Sequence, residues 1–67
     1  MIYVSRHMSK QELYQKLVQA VEALPFEYKG DYKAVYAKTF YVRTTKAEIM
    51  ESLQEINKIM EKLQKGD

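Results

Sequence analysis

The sequence predicts a single α+β domain: a small antiparallel sheet with two helices packed on one face, in the order (β)αββα. Three observations lead there. Two segments, one after Ser9 and one after Thr45, carry helix-capping residues followed by apolar side chains at helical spacing. Between them runs an aromatic ribbon, FEYKGDYKAVYAKTFYVR, from Phe26 to Arg43. It holds six of the chain's eight aromatic residues and four of its eleven Lys and Arg side chains. Inside the ribbon, Gly30-Asp31 has the chemistry of a two-residue hairpin turn.

The first element is a short strand at Ile2-Tyr3-Val4, read from its β-branched and aromatic content. Residues 1–7 read either as native sequence containing this strand or as an extension upstream of an initiator at Met8, and the strand reading is favoured. The first helix follows over about residues 9–24. Ser9 and Glu12 have the spacing of a capping box, in which each side chain satisfies an orphan backbone donor, and Met8 is placed to staple onto Leu13. Leu13, Leu17, Ala20, Val21 and Leu24 form the buried stripe, widened by Tyr14 and Val18. Pro25 ends the helix, because it pushes the preceding residue out of the α region.

The hairpin comes next, with Gly30 taking the positive φ of a type II′ turn. Pairing outward sets Lys29 opposite Tyr32, Tyr28 opposite Lys33 and Phe26 opposite Val35. One face then collects Phe26, Tyr28, Val35 and Ala37, and the other Tyr32, Ala34 and Tyr36, so neither face is cleanly polar. The second strand, Tyr32 to Arg43, is overlong: twelve residues extend to about 40 Å, twice an ordinary strand. A bulge near Ala37-Lys38, a split into two strands, or projection beyond the core would each accommodate it.

The last helix opens on a second capping box, Thr45 with Glu48, and carries Ile49, Leu53, Ile56, Met60 and Leu63 at alternating steps of four and three. Gly66 stands where a C-terminal cap belongs, with Lys62 and Lys65 set favourably against the helix dipole. The stripe also suits a coiled coil. Its flanking positions, however, are Met50, Ser52, Asn57, Ile59 and Gln64, none of them charged, whereas zippers set partner choice with charges there. Met50 and Ile59 instead widen the stripe to the breadth of a helix packing on a sheet. The expected core is Leu13, Leu17, Val21, Leu24, Phe26, Val35, Phe40, Val42, Ile49, Leu53, Ile56 and Met60.

Composition narrows the function classes. With 67 residues the chain is one domain, near the lower size limit for an unaided core. The absence of cysteine excludes disulfides and thiolate metal sites, and fits a cytoplasmic protein. No apolar run approaches the length that spans a bilayer, and no membrane partner is expected. A net charge of +2 falls short of the clustered basic excess typical of nucleic-acid binders. His7, the sole histidine, has no nucleophile or carboxylate nearby in sequence, and Glu48, Glu51 and Glu55 read as a solvated face paired with Lys58 and Lys62. Neither catalytic, metal nor cofactor residues are expected, and no small-molecule substrate.

The order of elements resembles the layout of double-stranded-RNA-binding domains, whose last helix opens on a lysine cluster. Here Thr44-Thr45-Lys46-Ala47-Glu48 offers one lysine and sets a carboxylate at the helix N-terminus, so the resemblance covers layout alone. The function expected is that of a small non-enzymatic regulatory or adaptor protein that binds another protein, a second copy of itself included. The expected partner-binding residues are Lys29, Tyr32, Lys33, Tyr36, Tyr41, Arg43, Ile59 and Leu63. The alternative is a nucleic-acid-binding regulator, its tyrosines stacking on bases while Lys29, Lys33, Lys38 and Arg43 neutralise phosphates.

Overall fold

A computed structural model describes residues 3–65 and replaces the predicted sheet with helix. The elements in order are α1 (Lys10–Ala23), α2 (Phe26–Lys29), a 3-10 helix (Gly30–Tyr36), α3 (Lys38–Arg43) and α4 (Lys46–Gln64). Among the described residues there is no strand, so neither the α+β class nor the β-hairpin holds. The N-terminal strand is absent over Tyr3 and Val4, while Ile2 lies outside the described residues, as does the Gly66 cap. With the sheet goes the layout shared with double-stranded-RNA-binding domains.

The two long helices form where their caps and stripes place them. The Ser9 hydroxyl accepts the Glu12 backbone N–H at 3.2 Å, and Met8 packs against the core as a staple would. Leu24, held extended at φ −72°, ψ 150° before Pro25, ends α1. At α4 the capping box is complete: the Thr45 hydroxyl accepts from Glu48 N and the Glu48 carboxylate accepts from Thr45 N.

The ribbon is helical for reasons its own side chains supply. Only Val35, Thr39 and Val42 are β-branched in the stretch from Phe26 to Arg43, which is otherwise rich in Lys, Ala and Tyr. Tyrosine has a strand preference, but its cost in a helix is only about half a kcal/mol relative to the best formers. The spacing then decides. Tyr28, Tyr32 and Val35 step by four and three, and all three turn inward. In the 3-10 portion side chains three apart eclipse, which keeps Tyr32 and Val35 on the same side. The overlong strand is therefore neither one strand nor two. It is a 3-10 turn and a short helix hinged at Ala37, which is extended at φ −69°, ψ 140°.

Gly30 shows the correction most directly. It sits at φ −59°, ψ −35°, ordinary helical backbone rather than the positive φ of a hairpin turn. A Cβ built there meets nothing within 4 Å. Gly30→Ala should therefore stabilise the protein by about 0.4–1 kcal/mol through the unfolded chain's lost freedom. That is a rise of several degrees in Tm for a domain of this size. A fall in Tm on thermal denaturation would instead indicate a positive φ at residue 30.

Residues 25–45 act as a strap that brings the chain back along α1. The Tyr14 hydroxyl donates to the Val35 carbonyl at 2.9 Å, and Tyr41 stacks edge-on against Tyr14 nearer the start of α1. The Lys46 ammonium donates to the Arg6 carbonyl at 2.6 Å, so α1 and α4 start from the same end of the molecule. Their facing stripes make the core: Leu13, Leu17, Ala20, Val21 and Leu24 against Ile49, Leu53 and Ile56, with Val35 as the strap's one buried apolar side chain. Phe40 and Met60 are half-buried against it. Two expected core residues are not there: Phe26 is 92% exposed and Val42 is 78% exposed, because the helical turn carries both away from the inward row. Burial fades along α4 as it outruns the shorter α1, and Leu63 in its last turn is 41% exposed. Among the described residues no helix is long and apolar enough to cross a membrane.

Candidate interaction face

On a helical period the side chains that do not face the core also gather. With Tyr28, Tyr32 and Val35 turned in, Phe26, Lys29, Lys33 and Tyr36 fall together on the outer side of the strap. They line a shallow depression of about 500 Å³ with Glu27 and Gly30, and the missing side chain of Gly30 leaves its floor open. Tyr36, 49% exposed, stands at its edge. Partial burial, and then the Glu22 carboxylate, hold the Tyr36 phenol above its ordinary pKa.

Tyr36 also borders two further depressions. The larger, about 640 Å³, runs between α1 and α3 and is lined by Gln11, Tyr14, Gln15, Tyr36, Ala37, Lys38 and Tyr41. The other continues along α1 over Val18 and Gln19. An aromatic cluster underlies the larger groove. Tyr14 meets Tyr41 edge-to-face with ring centroids 5.1 Å apart, a geometry that complements the ring quadrupoles, and lies tilted by 32° to Phe40 at 6.0 Å. The Lys10 ammonium lies 4.7 Å above the Tyr41 ring, a cation–π contact that sets a second cation on the ring that shares the groove with Lys38. Glu27 is the only carboxylate lining any of the three depressions.

Of the residues expected to bind a partner, Lys29, Lys33 and Tyr36 are brought together, and Tyr41 joins them through the groove it shares with Tyr36. The rest are dispersed. Tyr32 turns to the other side of the strap, half-buried, with its hydroxyl 3.5 Å from Glu55. Burial, and then that carboxylate, raise its pKa. Ile59 packs half-buried against the core, Arg43 is exposed at the end of α3, and Leu63 lies in the last turn of α4. The sequence reading did not place Phe26, Gln11 or Gln15 on this face. A strand register puts the first in the core, whereas the same residues read at a helical period put it beside Lys29 and Lys33. For the two glutamines only the outer face of α1 was available as a signal.

Among the described residues no group of three or more potential metal-ligating side chains occurs. No family model, curated protein or solved structure matches the chain.

Proposed function

We propose that this chain is a small non-enzymatic regulatory or adaptor protein, and that its Phe26–Lys29–Lys33–Tyr36 face docks on an acidic, apolar-anchored surface of another protein. The observation that carries this reading is Phe26, a full phenyl ring left in solvent beside a half-exposed tyrosine and rimmed by lysines. A large aromatic side chain gains nothing for the fold in that position. Exposed aromatics around a concavity are the usual energetic centre of a protein interface. The lysine rim selects for acid in the partner. The same rim argues against a two-fold dimer through this face, because an isologous contact would set Lys29 and Lys33 near their own copies.

Nucleic acid is the second reading, favoured by the way Lys10, Lys29, Lys33 and Lys38 adjoin Tyr36 and Tyr41. Glu27 within the face weakens it. Affinity capture from the native host separates the two. Protein captured by the wild-type chain should be lost, by tenfold or more, from Lys29→Glu/Lys33→Glu. It should be retained by Lys58→Glu/Lys62→Glu on the exposed side of α4. Retention by the first variant would sink the proposal. Capture abolished by nuclease and falling steeply with salt would transfer it to nucleic acid.

A further inference from the structure

We infer that the groove between α1 and α3 seats an extended segment of that same partner, bearing an acidic side chain, so this step rests on the function proposed above. Three features of the groove point to it. Its aromatic walls come from separate elements and are fixed before any ligand arrives. Tyr14 is tied to the Val35 carbonyl at 2.9 Å and braced by Tyr41. Such prior ordering lowers the entropy lost on binding.

The second feature is the pair Gln11 and Gln15, both exposed on the α1 wall, with neither amide engaged by a hydrogen bond among the described residues. Each amide offers donors and an acceptor. A helix laid in this groove would bring a backbone already satisfied within itself, and the amides would meet side chains only. An extended chain exposes its N–H and C=O groups, and those on one side recur every second residue, about 6.7 Å apart. One helical turn sets Gln11 and Gln15 about 6 Å apart along α1, within the reach of side chains of that length. With no sheet edge among the described residues, these amides are the groups placed to read a partner's backbone.

Charge is the third feature. Lys38 lines the groove and Lys10 caps the Tyr41 ring at its side, while no carboxylate lines it. An extended segment with an Asp or Glu beside the contacted backbone is the complementary ligand.

The test uses random seven-residue peptides displayed on phage, selected against the full chain. The expected result is a consensus carrying Asp or Glu. The synthesised consensus peptide should shift the side-chain amide NMR signals of Gln11 and Gln15. Gln11→Ala/Gln15→Ala should weaken binding by about tenfold, the loss expected for two neutral hydrogen bonds, while Gln54→Ala on α4 leaves it unchanged. Three results would overturn the inference: no enrichment, a consensus without acid, or an affinity indifferent to the glutamine pair. If one of these appears while capture of the whole partner still depends on Lys29 and Lys33, the groove inference alone has failed. If the peptides bind as expected and capture ignores those lysines, the docking face has failed instead.

Discussion

Leu53→Ala is expected to abolish cooperative folding at room temperature, whereas Leu63→Ala, ten residues along the same stripe, should leave the unfolding curve almost unchanged. Leu53 is fully buried and meets the core that α1 presents to α4. Removing it forfeits the transfer free energy of its side chain and leaves a cavity, together about 2–5 kcal/mol. A chain this short has little to spare, because a single core below about 70–80 residues rarely supplies more than about 3–5 kcal/mol net. Leu63 lies beyond the end of α1, partly in water, so its truncation changes exposed surface rather than packing. Urea titration followed by circular dichroism would show a broad, non-cooperative loss of helix for the first variant and a wild-type midpoint for the second. Equal destabilisation by the two would mean that α4 is covered along its whole length, as in a zipper, and not by α1 alone.

That contrast also marks where the sequence could be read and where it could not. The long helices announced themselves through cues that act within a few residues: Ser9 and Glu12, Pro25, Thr45 and Glu48. Each corresponds to a cap or a stop in the structure. The apolar stripes they enclose became the core, because a stripe of Leu and Ile at helical spacing leaves water by packing against another such stripe. The ribbon lacked any such local decision. Tyrosine is tolerated in both states, and Gly-Asp, which suits a hairpin turn, costs a helical strap only about 1 kcal/mol. What tips the balance is tertiary: Tyr28, Tyr32 and Val35 can all reach the core only if the backbone turns helically. The absence of clean two-residue alternation, visible when the ribbon was paired as a hairpin, was the signal available in the sequence.

The candidate site inherited that error. A strand register sends Phe26 inward with Tyr28 and Val35, whereas the helical turn sends it outward to stand with Lys29, Lys33 and Tyr36. Lysines and tyrosines mark a candidate binding chemistry by composition alone. Their grouping is not so marked, because it depends on the period of the backbone. Gln11 and Gln15 illustrate a different loss: a glutamine on the polar side of an amphipathic helix carries no mark until another element, here α3, forms the opposite wall.

Phe26→Ser tests the fold correction and the proposed function in one molecule. Were Phe26 part of a sheet core, removing its ring would cost about 3–5 kcal/mol and leave a hydroxyl among apolar groups. In the helical strap the ring is in solvent, so the substitution should change stability by no more than about 0.5 kcal/mol. Trading exposed phenyl surface for a hydroxyl should also improve solubility, because exposed apolar patches promote association. Binding should respond in the opposite way. Truncating the aromatic centre of an interface commonly costs about 2 kcal/mol or more, which is at least a twentyfold loss of affinity. The variant is therefore expected to melt like the wild type and to lose the partner. A variant that unfolds would restore Phe26 to the core. One that stays folded and still binds would show that the exposed ring belongs to no interface, and the partner would then have to be sought elsewhere on the surface.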